Sequence, residues 1–190
     1  MKLVFATNNP HKIREVTEVL GNAFEIAGLK DIGCTEELPE THDTIPENAQ
    51  EKAQYIFKSY GVDCFSEDSG LEIDALHGEP GVHTAHYSGT RDAEDNIKLV
   101  LKKMAGQANR SARFRTVIAL ILHGREYLFE GVVEGSILEE KRGIGGFGYD
   151  PIFAPEGYEH SFAELSSAIK SQISARAKAT RQLIAFLNEL

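Results

Sequence analysis

Two adjacent carboxylates, Glu67 and Asp68, follow the strand-like run VDCFS (62–66) and lead into Ser69-Gly70. Neighbouring side chains on a strand point to opposite faces. One carboxylate can therefore face a metal or a water while the other faces away. Asp68 suits a hard cation such as Mg2+, which takes oxygen ligands and keeps waters or substrate phosphates in its shell. It equally suits a general base acting on a nucleophilic water. Asp-Ser-Gly is also common turn chemistry, and the strand is expected to end in a Ser-Gly turn.

The stretch ATNNPHK (6–12) reads as strand, polar turn and helix start. Asn9 with Pro10 behind it predicts an N-cap followed by proline at the first helical position. Exposed N–H groups at such a helix start form an anion site. Thr7, Asn8 and Asn9 add side-chain donors, and Lys12 adds charge within one turn. An ordinary capped helix has the same residues, but Lys12 opposes the helix dipole, which points to an anion for it to meet.

GIGGFG (143–148) matches a dinucleotide fingerprint letter for letter, yet it follows a hairpin and is closed by Tyr149-Asp150-Pro151 instead of opening a helix. It offers backbone that a flat ligand can approach, with Phe147 and Tyr149 as stacking surfaces. His77, His83 and His86 share a loop but lack zinc-ligand spacing. Near the C-terminus, Lys170 and Arg176 lie around a helix start and are placed for a ligand, with Ser174 a candidate cap. Lys178 and Arg181 read as a solvated face.

The elements that must carry these residues alternate early and pair later. A strand at 2–6 precedes a helix that Gly21 ends, with Ile13, Val16, Val19 and Leu20 on one face. A strand at 24–29 and a loop follow. TIPE (44–47) has the spacing of a capping box, before a helix presenting Ala49, Ala53, Ile56, Phe57 and Tyr60. A helix over about 92–104 precedes two long strands flanking His123-Gly124, a hairpin signal. One helix closes the chain. The fold class is mixed α/β, without repeats or linkers.

The chain has 190 residues and a net charge of −9. A domain of this length buries roughly 70% of its unfolded surface and needs no disulfide or structural metal. The acidic balance argues against a nucleic-acid or membrane binder, whose footprint is a basic patch. Cys34 and Cys64 have no ligand spacing and read as reduced thiols. No signal peptide or membrane span is legible, so a soluble, cytoplasmic protein is expected.

Four stretches in register resemble the non-canonical purine nucleoside triphosphate pyrophosphatases, the inosine/xanthosine triphosphatase (HAM1-like) family. They are TNNPHK, EDSGLEIDAL with GEPGVHTAHYSG, GGFGYDPIF, and FAELSSAIKSQISARAKA. The resemblance runs from Thr7 to about Ala179. It implies an elongated mixed sheet with flanking helices, a single domain over 1–190 whose two lobes surround a central nucleotide cleft, and a homodimer. It further implies Mg2+-dependent release of pyrophosphate from ITP, dITP or XTP. By the family's pattern Thr7, Asn8, Asn9, Lys12 and Lys52 hold the triphosphate. Asp68 is the catalytic acidic residue and a metal ligand, Glu40 the second acidic metal residue, and Ser69 a substrate contact. Phe147, Gly148, Tyr149 and Asp150 form the nucleoside-side loop, and Lys170 and Arg176 are the closing basic residues.

Three positions depart from the family's pattern. Glu67 stands for an aspartate, His86 for an arginine, and Ala175-Arg176-Ala177 for His-Arg-Gly, which removes a histidine from the base side. Two other readings follow: a nucleotide-binding or sensing module with weak turnover, and a house-cleaning pyrophosphatase for modified pyrimidines, which the base-side stretch fits less well.

Overall fold

Leu3, Val4 and Phe5 are almost fully buried, and this short apolar run forms β1 (Lys2–Phe5) in a computed structural model that describes residues 1–190. α1 (Pro10–Leu20) leads to β2 (Glu25–Ala27), and α2 (Ile45–Tyr60) to β3 (Cys64–Ile73). α3 (Ala93–Met104), β4 (Ser111–Leu122), β5 (Arg125–Ile137), β6 (Phe153–Pro155), α4 (Ser167–Ile173) and α5 (Ala175–Asn188) complete the chain. The six strands form one sheet in the order β2-β1-β3-β4-β5-β6. β1 pairs parallel with β2, Leu3 opposite Ile26, and with β3, Phe5 opposite Phe65. Helices α1 and α2 are thus crossovers of a parallel arrangement. β5 pairs antiparallel with β6. The expected mixed α/β class is what is found.

The chain forms two compact units. The first comprises Met1–Asp68, Thr116–Gly131 and Arg176–Leu190; the second comprises Ser69–Arg115 and Val132–Ala175. The core of the first gathers Leu3, Phe5, Val16, Phe65, Ile118, Leu120 and Leu183. Phe5 and Phe65 stack with ring centroids 4.4 Å apart. The core of the second gathers Leu71, Ile73, Ile97, Val100, Met104, Phe153 and Phe162. Each such side chain contributes about 1.5–3 kcal/mol through burial.

Local signals set most boundaries. Asn9 caps α1, accepting from the N–H groups of His11 and Lys12. Thr44 caps α2 by accepting from Glu47 N–H at 3.3 Å, one half of the expected capping box; the Glu47 carboxylate instead reaches His42. The hairpin turns through His123 (φ 50°) and Gly124 (φ 79°), left-handed at both central residues as a type I′ turn requires.

Three expectations are corrected. β3 does not end at Ser66: it continues through Ser69 and Gly70 to Ile73, because Leu71 and Ile73 alternate into the core and are fully buried. The strand at 24–29 is shorter, and Leu29–Ile32 forms a 3-10 turn. The closing helix starts at Ala175, next to the candidate cap Ser174, but a short helix not expected from the sequence, α4, precedes it; Ser166 caps α4, and Ser174, in extended backbone at ψ 155°, separates it from α5. No helix is long and apolar enough to cross a membrane.

Candidate active site

In the first unit α2 and β3 lie side by side, tied by polar side chains as well as by packing. Ala49 and Ala53 are fully buried, and their small side chains let the strand approach the helix. Ser66 donates its hydroxyl to Ala49 O, and Cys64 Sγ donates to Ala53 O at 3.3 Å. Lys52 completes the series from the helix side, donating to Glu67 O at 2.8 Å. This docking fixes where Glu67 and Asp68 leave the strand.

Lys52 Nζ also lies 2.6 Å from Glu40 Oε1 and 3.8 Å from Asp68 Oδ1. Burial lowers the pKa of such an ammonium, but Asp68, Glu40 and Glu67 outweigh it and hold the Lys52 pKa above its ordinary value. The Asp68 carboxyl is pushed up to about 6 by burial, against the pull of Lys52 and Lys12 and with the push of Glu40 and Glu67.

Glu67 points the other way, into the protein, as strand alternation requires. Its side chain is fully buried, 2.5 Å from Lys12 Nζ and 3.5 Å from Arg176 NH2. Burial would raise its pKa, but Arg176, Lys12 and Lys52 together hold it well below the carboxylate range. Lys12 is lowered by burial, with Glu67 opposing. Arg176, at the start of α5, is shared between Glu67 and Glu15 of α1, 2.6 Å from Glu15 Oε1. An anion for Lys12 to meet therefore already stands within the protein. The Asn9 cap likewise engages two amides of the α1 start, and Thr7 Oγ1 accepts from Asn9 N–H. Asn8 is exposed beside them.

Four carboxylates (Glu15, Glu40, Glu67, Asp68) thus meet three cations (Lys12, Lys52, Arg176). The surplus negative charge stands where Glu40 and Asp68 converge. No group of three or more His, Cys, Asp or Glu residues is placed to hold a metal ion. Two hard oxygen donors fit Mg2+, which is held by one or two carboxylates together with substrate phosphates.

The second unit carries the other predicted residues. Asp150 is the centre of a clasp: its Oδ2 accepts from Lys170 Nζ at 2.6 Å and from Phe147 N–H at 3.0 Å. Lys170 Nζ also lies 4.9 Å above the Phe147 ring, a cation–π contact. A Cβ on Gly146 would stand 2.1 Å from Asp150 Oδ2, so only glycine permits this approach. Tyr149 is not a stacking surface. It is 4% exposed, belongs to the core, and donates its hydroxyl to Thr84 O at 2.7 Å. Gly148 (φ 58°) is half-buried beside it. Ser69 is half-buried on β3. Ala175 is buried in the same core. His83 and His86 are exposed, and Lys178 and Arg181 are exposed as expected.

The structure therefore brings Lys12, Glu40, Lys52, Asp68 and Arg176 together in the first unit, and Phe147, Asp150 and Lys170 together in the second. Lys170 and Arg176, close in sequence, belong to different sets. Sequence reasoning misses Glu15 altogether and says of Glu67 only that it and Asp68 point to opposite faces. A buried glutamate partner for Arg176 has no local signature, because the contact spans 109 residues.

The Ham1 family model matches residues 3–186. The chain is 51% identical over 188 residues to a protein of Flavobacterium johnsoniae named dITP/XTP pyrophosphatase, covering 98% of each. It is 50% identical to one of the same name from Christiangramia forsetii, covering all of both. Among solved structures, the Ham1 protein of Staphylococcus aureus superposes with a TM-score of 0.91 at 35% identity, covering 100% of this chain and 99% of the other. A HAM1 protein of Coxiella burnetii does so with 0.91 at 36% identity, covering both in full.

Proposed function

The chain belongs to the Ham1 family, and on that premise we propose that it hydrolyses non-canonical purine nucleoside triphosphates (ITP, dITP, XTP) to the monophosphate and pyrophosphate. The observation that carries the reading is the convergence of Glu40 and Asp68 on Lys52, with the Asp68 carboxyl pushed up to about 6. The naming of relatives at 50% identity and above supports the substrate class.

Mg2+, held by Glu40 and Asp68, supplies charge neutralisation for the phosphates when bound. The protein's own groups do the rest by positioning and electrostatics. Asp68 orients a water and takes its proton as the water oxygen bonds to the α-phosphorus. The bond from the α-phosphorus to the bridging oxygen breaks, and pyrophosphate leaves with that oxygen. Lys52 and Lys12 offset the phosphate charge, Thr7, Asn8 and Asn9 hydrogen-bond phosphate oxygens, and Ser69 contacts the substrate beside Asp68. Glu67 and Glu15 hold Lys12 and Arg176 in place. The Phe147–Asp150 loop and Lys170 take the nucleoside end, with Phe147 as the aromatic surface. Basic donors reward a 6-oxo acceptor on the base and are left unpaired by adenine, which presents a donor there; guanine shares the 6-oxo group, so its exclusion rests on its 2-amino group. The enzyme acts in the cytoplasm as a homodimer.

The test is to incubate the purified protein and Mg2+ with ITP, XTP, dITP, GTP and ATP separately and assay pyrophosphate against orthophosphate. Pyrophosphate from the first three, with little from GTP or ATP and a loss of about 100-fold or more with Asp68→Asn, is expected. Orthophosphate release, or no release with tight nucleotide binding, overturns it. The second outcome favours a sensing module, for which Ala175 is the motivating residue: a methyl group buried in the core stands where the resemblance implies a histidine.

A further inference from the structure

The segment from Glu36 to Thr44 has neither helix nor strand, yet it is tied along α2 over its whole length. Glu36 Oε1 accepts from Tyr60 OH at 2.7 Å and from Tyr55 OH at 3.0 Å. Glu40 takes Lys52. Thr41 donates its N–H to Glu51 Oε2 at 2.8 Å and its hydroxyl to Glu51 Oε1 at 2.7 Å. His42 donates its N–H to Asn48 Oδ1 at 2.9 Å and accepts from Asn48 Nδ2 at 3.1 Å. As the segment's numbers rise the helix partners' numbers fall, so it is a strap running antiparallel to α2.

Two rungs, on Thr41 and His42, follow Glu40 directly in the chain. Asn48 is 3% exposed, and its amide is divided between the N–H and the C=O of one residue, as a strand partner's backbone would be. Glu51 uses both oxygens on Thr41. Thr44 already caps α2, so these bonds are not needed to start the helix. What they do fix is the backbone that carries Glu40, whose own side chain is 41% exposed. Holding the backbone that carries Glu40 in advance reduces what cation binding must order.

We propose that Asn48 and Glu51 are positioning residues for Glu40, setting its carboxylate beside Asp68 and thereby the affinity of the site for its divalent cation. This rests on the reading of Glu40 and Asp68 given above. The two residues touch neither substrate nor cation; they act through the strap.

The experiment compares wild type with Glu51→Gln, Thr41→Val and Asn48→Ala. It measures pyrophosphate release from ITP against Mg2+ concentration, Mn2+ binding by electron paramagnetic resonance in the presence of a non-hydrolysable α,β-methylene ITP analogue, and amide hydrogen exchange at Thr41 and His42. Glu51→Gln and Thr41→Val sit at the surface and keep the test open should Asn48→Ala fail to fold. The half-saturating Mg2+ concentration and the Mn2+ dissociation constant are expected to rise about tenfold, the scale seen when partners of metal ligands are removed. At saturating Mg2+, kcat stays within about twofold of wild type, the split that separates positioning from chemistry. Faster exchange at Thr41 and His42 with unchanged Mg2+ and Mn2+ dependence overturns the inference, as does a fall in kcat alone. Glu40→Gln is the control. If it leaves the metal dependence unchanged, the reading of Glu40 fails and this inference with it; if it weakens metal binding while the strap variants do not, only the inference fails.

Discussion

The Lys52 ammonium lies 3.8 Å from Asp68 Oδ1, and Asp68 nevertheless holds its proton up to about pH 6. Burial and the neighbouring Glu40 and Glu67 outweigh the attraction of Lys52 and Lys12. The folded-state pKa thus stands above the ordinary 3.8, so the folded protein binds more protons than the unfolded chain between about pH 4 and 6. The contribution of Asp68 to stability falls as pH rises through that window, and the full penalty stands above it. Asp68→Asn is therefore expected to lose about 100-fold or more in kcat/KM while gaining on the order of 1–3 kcal/mol at pH 7.5 in the metal-free protein. Urea unfolding of both proteins at pH 4 and 7.5 checks this; an Asn variant less stable than wild type at pH 7.5 would refute it.

Glu67 presents the opposite case. It is fully buried between Lys12 and Arg176, and its pKa is held below its ordinary value. Its contribution is complete above an unfolded pKa of 4.5 and is lost as pH falls below that toward the folded value. Removing its charge leaves two buried cations with less compensation, a change that costs about 3–5 kcal/mol. Glu67→Gln should fall in this range by chemical denaturation at pH 7, and Glu67→Asp, which keeps the charge one methylene shorter, should lose less. Equal stability of Glu67→Gln and wild type would show that the pair carries no such weight.

Where the physics was local, the sequence was sufficient. Asn9-Pro10 marked the start of α1, His123-Gly124 marked the hairpin, and the apolar spacing of Ala49, Ala53 and Ile56 marked the buried face of α2. At Ser69-Gly70 two local signals competed, and the alternation of Leu71 and Ile73 into a core prevailed over turn chemistry. Tyr149 looked like an exposed ring beside flexible glycines, but its hydroxyl finds Thr84 O, 65 residues away. Glu67, Arg176 and Glu15 are joined across the chain in the same way. The resemblance names the candidate site residues, while the partners that hold them are set by three-dimensional packing that no spacing encodes.

The strap along α2 gives a pH-dependent signal of its own. Hydrogen bonds from Tyr60, from the backbone and from Tyr55 hold Glu36 down to about 2. The stabilisation this brings is fully present above the ordinary 4.5 and is lost as pH falls from 4.5 toward 2. Tyr60 supplies the largest share, so Tyr60→Phe should raise the Glu36 midpoint toward the ordinary value, with Tyr55→Phe raising it less. Carbon-detected NMR titration of the Glu36 carboxyl reads this directly, and an unmoved midpoint in Tyr60→Phe would count against the strap's first rung.

Gly146 and Gly148 both sit in left-handed backbone, at φ 65° and 58°, but their surroundings differ. A Cβ at Gly148 meets nothing within 4 Å, whereas one at Gly146 would stand 2.1 Å from Asp150 Oδ2. Asp150 cannot withdraw cheaply, because it is buried and engaged by Lys170 and Phe147 N–H. Gly148→Ala should therefore cost about 1–2 kcal/mol, the left-handed penalty alone. Gly146→Ala adds about 1–3 kcal/mol of overpacking and displaces the carboxylate that holds Lys170. Under the proposed function, Gly146→Ala should raise KM for ITP more than Gly148→Ala does, because only the first displaces the Asp150 carboxylate. Thermal unfolding together with steady-state kinetics on the two variants separates these effects, and identical losses in both would mean that the Asp150 clasp does not order the loop.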